Sequence, residues 1–97
     1  MEKLILSEQD VINAICLFSA DRKRMNPEEI EVELQYDDES YGFSAEVFFE
    51  GRNQILAHRD MIDAIRFYIQ HEMGGNPYAG VELILDDEEG ILAYINQ

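Results

Sequence analysis

The sequence is poor in cysteine, proline and basic residues. Its 97 residues include one cysteine, two prolines and seven lysines or arginines, and tryptophan is absent. A single cysteine excludes an internal disulfide, and Cys16 falls within a helical apolar pattern, where a thiol behaves as a small hydrophobe. We therefore predict that Cys16 is buried and unreactive, because a reactive thiol needs an electropositive and accessible setting.

Long hydrophobic runs are missing as well. No apolar stretch approaches the roughly 18 residues of a membrane span. An acid follows the first short apolar run at Glu8, too early for the hydrophobic region of a secretory signal. These features predict a cytoplasmic protein that does not insert into a membrane.

Acidic side chains dominate the charge of the sequence. The 21 aspartates and glutamates outnumber the bases and give a formal net charge of -14, and no lysine or arginine follows Arg66. Such a charge repels phosphate backbones and anionic lipid heads, since nucleic-acid binding depends on bases that neutralise phosphates. We predict no binding to nucleic acid or membrane surfaces. Charge alone also supports an alternative, an acidic mimic of nucleic acid that occupies a DNA-binding protein.

Motifs for catalysis and cofactor binding are absent. The sequence has no nucleophile elbow, P-loop, dinucleotide fingerprint or zinc-ligand spacing. His58 and His71 lie near opposite ends of one predicted helix, too far apart to share a metal. Acidic runs at 37–39 and 86–89 suit hard cations, but they lack the alternating ligands of a calcium loop and are typical of solvated turns. We predict a non-enzymatic protein with no cofactor and no metal.

The two halves of the sequence resemble each other. Strand starts, helix faces, an Asn-Pro pair and an acidic hairpin recur in the same order, and they align Ile5, Asp10, Ile15, Asn26, Val32 and Asp37 with Ile55, Asp60, Ile65, Asn76, Val81 and Asp86. Amphipathicity alone does not dictate the repeated Asn-Pro. We predict a single domain over residues 1–97, made of two duplicated units at approximately 1–50 and 51–97.

Each unit has the pattern strand, helix, strand, strand. Short apolar runs at 3–6 and 53–57 precede segments with apolar residues at helical spacing. Side-chain oxygens that can cap the helix N-termini come from Ser7 and Asp10 in the first unit and from Asp60 and Asp63 in the second. Beyond each Asn-Pro, apolar and polar residues alternate, which is typical of strands with one buried face.

This pattern predicts an α+β fold. We expect two β-α-β-β units related by a pseudo-twofold axis, with two helices packed on one face of a largely antiparallel sheet. The helix residues expected to be deeply buried are Ile12, Ile15, Ile62 and Ile65.

The outward positions of the two predicted hairpins differ in polarity. In the first hairpin they include polar residues such as Gln35, Ser44 and Glu46, whereas their counterparts in the second are Ile84, Leu92 and Tyr94. Phe48 also points outward by parity. A contiguous apolar patch on an acidic surface indicates a contact site. We predict an interface formed by Phe48, Ile84, Leu92 and Tyr94, unless another part of the chain covers this hairpin.

A second candidate site is a groove between the two units. Aromatic side chains near the hairpin ends favour a small-molecule site lined by Tyr36, Tyr41, Phe43 or Tyr78. The sequence therefore carries two hypotheses of different class. The leading one is a protein-interaction module, most simply a homodimer, and the alternative is a small-molecule-binding module.

Two resemblances accompany these patterns. On residues 2–7, 32–34 and 41–47, the chain resembles a small family of uncharacterised acidic proteins from Bacillus-type bacteria. That resemblance covers nearly the full length and implies no function. The order of elements also resembles a doubled strand-helix-strand-strand module. Its doubled form occurs in small-molecule-binding proteins of the gyrase-inhibitor type, and its single form serves as a protein-interaction insert.

Overall fold

The computed structural model describes residues 3–37, 39 and 42–96. In chain order the elements are β1 (Lys3–Leu6), α1 (Glu8–Lys23), a 3₁₀ turn (Pro27–Glu29), β2 (Glu31–Asp37), β3 (Gly42–Phe49), β4 (Arg52–Leu56), α2 (His58–Glu72), β5 (Gly80–Asp86) and β6 (Gly90–Asn96). This order agrees with the predicted strand, helix, strand, strand pattern of each half. Within these residues, neither helix is long and apolar enough to cross a membrane.

The starts of the two helices follow from local hydrogen bonding. At α1, the Ser7 hydroxyl accepts from the Asp10 N–H at 3.1 Å, and the Asp10 carboxylate accepts from the Ser7 N–H at 3.2 Å. The second helix begins earlier than predicted, at His58. Asp60 therefore lies in its first turn, where its carboxylate accepts from the Ala57 N–H at 3.2 Å, instead of preceding the helix.

The strands form two three-stranded sheets, in the orders β1-β6-β5 and β2-β3-β4. The α+β class and the antiparallel pairing are confirmed, but the strands are divided between two sheets instead of forming one. Each hairpin is completed by the first strand of the other half, since β1 pairs with β6 and β4 with β3. Both helices contact both sheets, and the smallest extent of 21 Å fits one helix layer on one layer of strands.

The pairing partners in the two sheets correspond position by position. Leu6 pairs with Ala93 as Leu56 pairs with Ala45. In the hairpins, Val32 pairs with Val47 and Val81 with Ile95. Residues aligned from the sequence therefore occupy corresponding places in the fold. Descent from a duplicated unit stays a prediction.

The core lies between the helices and the inner faces of the sheets. Ile15 and Ile65 are fully buried, as predicted, whereas Ile12 and Ile62 are only partly buried, so that expectation was wrong. Successive residues are about 100° apart around a helix. Ile12 and Ile62 consequently fall at the edge of stripes whose other fully buried members are Val11, Ala14, Met61, Ala64 and Ile69.

The turn between β3 and β4 holds a glutamate in a left-handed conformation. Phe49 pairs with Arg52, so the loop consists of Glu50 and Gly51, with φ of 49° and 72°. Two positive φ values are typical of a type I′ turn, which prefers Asn-Gly.

Replacing Glu50 with asparagine is expected to raise the free energy of unfolding by about 0.5–1 kcal/mol, because asparagine tolerates this conformation at lower cost. Urea denaturation measures the change. Glu50→Gln removes the charge but keeps the conformational cost, and it should stabilise less. Equal gains for both variants would assign the effect to charge.

Candidate functional site

The outer face of the sheet β1-β6-β5 carries the apolar residues predicted for an interface. Ile84, Leu92 and Tyr94 alternate with strand residues that pack on the helices, so they face away from the core. Ile5 joins them, because it pairs with Tyr94 across β1 and β6. Ile5, Ile84, Leu92 and Tyr94 are called the apolar face below.

The four members of the apolar face differ in accessibility. Ile5 is 56% exposed, Ile84 and Tyr94 are partly exposed, and Leu92 is only 9% exposed. Leu92, predicted at the centre of the patch, is therefore largely covered within the monomer. Ile5 was not predicted on this face, because its place depends on the pairing of β1 with a hairpin far away in the chain.

The corresponding face of the sheet β2-β3-β4 is polar. The Glu46 carboxylate accepts hydrogen bonds from the side-chain amides of Asn53, at 2.6 Å, and Gln35, at 3.4 Å. These three side chains span three strands. In the other sheet, the pairing register puts Lys3, Tyr94 and Ile84 at the corresponding positions. The two outer faces therefore have the same backbone arrangement and each carries an exposed isoleucine, Ile5 or Ile55, but Gln35 and Glu46 of one are replaced by Ile84 and Tyr94 in the other.

Phe48 does not lie with the rest of the predicted interface. It belongs to β3, where it pairs with Asn53 and Glu31 in the other sheet. The prediction grouped it with Ile84, Leu92 and Tyr94 by parity alone, on the assumption of a single sheet. Division of the strands between two sheets separates them.

Part of the predicted aromatic groove is present. Tyr36 and Phe43 pack with ring centroids 4.8 Å apart, and the His58 ring lies 6.0 Å from that of Phe43. They line an open groove of about 560 Å³, together with Ile55 and Ala57 from the second half of the chain.

Two tyrosines predicted for this groove do not contribute to it. Tyr78 lies between α2 and β5, is 87% exposed and is not among the residues that line the groove. Tyr41 lies outside the described residues. His58, which does line the groove, was predicted only to lie near one end of a helix.

In the other sheet, the place that corresponds to that of His58 beside Phe43 is occupied by the carboxylate of Glu8. The Ile91 N–H donates to Glu8 Oε2 at 2.9 Å, in a part-buried hydrogen bond between the first turn of α1 and the start of β6. Gly90, with φ of 82°, allows this approach. Glu8 was not predicted to have this role, since only the tertiary fold brings it to Ile91.

The acidic turns are organised by backbone hydrogen bonds. Asp86 accepts from the N–H groups of Glu89, at 2.9 Å, and Glu88, at 2.8 Å, and these bonds lower the pKa of its carboxyl. Asp37 accepts from the Glu39 N–H at 2.9 Å in the same way. Across residues 3–37, 39 and 42–96, no group of three or more His, Cys, Asp or Glu side chains is arranged to hold a metal.

Cys16 is partly buried instead of fully buried. Its Sγ donates to the backbone oxygens of Pro27, at 3.1 Å, and Ile30, at 3.8 Å. Burial raises the pKa of the thiol, which favours the protonated and less nucleophilic form. These contacts give Cys16 a structural place between α1 and the chain that leads to β2.

Comparison with known proteins agrees with the family resemblance. Residues 1–88 match the model of a family described as a protein of unknown function, DUF2653. The chain is also similar to the uncharacterised protein YxcD from Bacillus subtilis (strain 168), with 31% identity over 99 residues, covering 98% of this chain and 96% of the relative. No solved structure matches. The resemblance to a family of uncharacterised proteins from Bacillus-type bacteria is thereby confirmed, and the chain belongs to the DUF2653 family.

Proposed function

We propose that the protein is a non-enzymatic interaction module that forms a homodimer through its apolar face. The observation that carries this proposal is the contrast between the two outer sheet faces. Both faces carry an exposed isoleucine, but where one has the hydrogen-bonded Gln35 and Glu46, the other has Ile84 and Tyr94. A partner surface that covers exposed apolar side chains stabilises the complex, because it removes them from water.

The charge pattern of the apolar face favours a second copy as the partner. Lys3 lies on the β1 edge with its Nζ 5.3 Å from the centroid of the Tyr94 ring, and Glu82 lies on the β5 edge, paired with the same tyrosine. Asp86, two residues beyond Ile84 on β5, also lies on this side, so the face carries one base and two acids, a small net charge in a chain of charge -14. Two copies therefore meet here with the least repulsion.

A twofold axis parallel to β6 fits this pattern. Such an axis places the β1 edge of each copy over the β5 edge of the other, so Lys3 of one copy approaches Glu82 of the second. Three strands of up to seven residues cover about 350 Å² per copy, well below a standard interface. The dimer should therefore be weak, with a dissociation constant in the micromolar range or above.

Replacing Ile5 with lysine tests the surface. Sedimentation velocity should show wild-type dimers at about 100 µM, and Ile5→Lys should shift the protein to monomer because a charge would be buried at the contact. Leu92 is less suitable, since its side chain is covered within the monomer. The matched control is Ile55→Lys, because Ile55 is 55% exposed at the corresponding position of the other sheet. A monomeric wild type, or equal effects of the two variants, would contradict the proposal.

Charge reversal tests whether the partner is a second copy. Lys3→Glu should weaken the dimer, and Glu82→Lys should weaken it too, although this second change lowers the net negative charge. The double variant keeps the charge of the wild type and should restore dimerisation. Higher salt should strengthen the wild-type dimer by screening repulsion. If Glu82→Lys alone tightens association, net charge and not this pairing controls it.

The small-molecule alternative has its own support in the groove beside Tyr36 and Phe43.

We place the protein in the cytoplasm, on the grounds that its single thiol has no disulfide partner in the chain. An acidic mimic of nucleic acid rests on net charge alone.

A further inference from the structure

The hydrogen bond between Glu8 and Ile91 lies just beyond the end of a strand. There a side-chain carboxylate, instead of a strand carbonyl, accepts from the backbone of the neighbouring strand. Strand β1 ends at Leu6, which pairs with Ala93. Extending the same register by two residues puts Glu8 opposite Ile91. The Glu8 carboxylate accepts from the Ile91 N–H at 2.9 Å, so it satisfies a backbone donor that lies beyond the end of β1.

The same register in the other sheet places His58 opposite Phe43. Strand β4 ends at Leu56, which pairs with Ala45, and α2 begins two residues later at His58. His58 offers an imidazole where Glu8 offers a carboxylate, and its ring lies 6.0 Å from the Phe43 ring. At this point the surface opens into the groove of about 560 Å³.

The walls of the groove suit an apolar body. Tyr36 and Phe43 form one side with ring centroids 4.8 Å apart, and Ile55, which is 55% exposed, also lines the groove. His58 supplies a polar donor at one end. Gln35 and Ser44 also line the groove, so an aromatic wall with polar groups beside it selects a molecule with an acceptor group attached to a hydrophobic body.

We propose that this groove binds a small monocarboxylic acid with an apolar body, whose carboxylate takes the place that Glu8 fills in the other half of the fold. The carboxylate accepts hydrogen bonds from the His58 ring and the Phe43 backbone, and the body lies along Tyr36. Corresponding backbone geometry in the two halves supports this site, which does not depend on the dimer proposed through the apolar face.

Nearby acids limit the charge of the ligand. Asp37 lines the groove, although its carboxylate already accepts from the Glu39 N–H at 2.9 Å. The whole chain carries -14. A second negative charge on the ligand would add repulsion from Asp37 and from the rest of the chain, so one carboxylate is preferred over two, and added salt should strengthen binding.

Phenylacetate and its neutral amide, phenylacetamide, are suitable probes. In two-dimensional amide NMR, phenylacetate should shift the Phe43 and His58 resonances saturably, while leaving Ile91 unchanged because Glu8 already occupies that donor. Phenylacetamide should bind about tenfold more weakly, since a charge-assisted hydrogen bond is roughly twice as strong as a neutral one. Equal binding of the two probes, or no saturable shift at these residues, would overturn the proposal without any variant.

A substitution in the groove provides the second test. His58→Glu gives the chain its own carboxylate at this place and should weaken phenylacetate binding by at least about tenfold. His71→Glu makes the same change at the other end of α2 and should leave binding unchanged. Loss of binding in both variants would assign the effect to net charge, and retention in His58→Glu would show that the carboxylate binds elsewhere.

Discussion

Replacing Ile65 with alanine is expected to lower the free energy of unfolding by about 2–5 kcal/mol. Ile65 is fully buried on the inner stripe of α2, in the cluster that joins both helices to both sheets. The substitution removes apolar contacts and leaves a cavity that the surrounding side chains fill only in part. Because a domain of this size is stable by only about 5–15 kcal/mol, the loss is a large fraction of the total. Urea denaturation followed by circular dichroism measures it.

Ile62→Ala is the matched control for this core substitution. It removes the same atoms from the same helix, at a position that is only partly buried. Its cost should be about half that of Ile65→Ala or less, since less apolar surface returns to water. Similar losses for the two variants would mean that the buried stripe of α2 is not centred on Ile65.

Gly90→Ala is expected to cost about 2–4 kcal/mol, from two separate causes. Gly90 has φ of 82°, a left-handed conformation that a residue with a Cβ adopts only at a cost. The new Cβ would also overlap the Glu8 carboxylate, whose Cδ would lie 2.7 Å away. Glu8 would have to move, and its hydrogen bond with the Ile91 N–H would be lost.

The two causes can be separated by variants elsewhere. Gly51→Ala imposes a similar backbone cost, because φ is 72° there, but its Cβ would meet nothing within 4 Å. It should cost only about 1–2 kcal/mol. In a double-mutant cycle, Glu8→Ala and Gly90→Ala should be less than additive, since the first removes the group with which the second collides. Additive losses, or equal costs at Gly51 and Gly90, would argue against this contact.

Local patterns predicted most of the secondary structure. Ser7 and Asp10 predict the start of α1, because a capping box needs only two suitable residues three positions apart in the sequence. The buried positions Ile15 and Ile65 follow from helical spacing. The same patterns erred at Ile12 and Ile62, because periodicity defines a stripe but leaves its centre uncertain by a residue.

The candidate sites were predicted less completely. Alternation in β5 and β6 identified Ile84 and Tyr94 on the outer face, but it could not add Ile5, which reaches that face by pairing with Tyr94. It also grouped Phe48 with them, although Phe48 lies in the other sheet. The alternation of apolar and polar residues indicates which residues share one face of a strand. Which strands share a sheet is determined only by strand pairing.

The sequence by itself determined the acidic character, the α+β class and the order of elements, because composition, helical period and strand alternation are local properties of the chain. Only the tertiary structure decided that β1 pairs with the hairpin of the second half and β4 with the hairpin of the first. It also decided that Glu8 accepts a hydrogen bond from Ile91 and that the His58 ring lies beside the Phe43 ring. These outcomes depend on the register between segments far apart in the chain. A shift of one residue turns every side chain to the opposite face, so long-range hydrogen bonding and core packing select the register together.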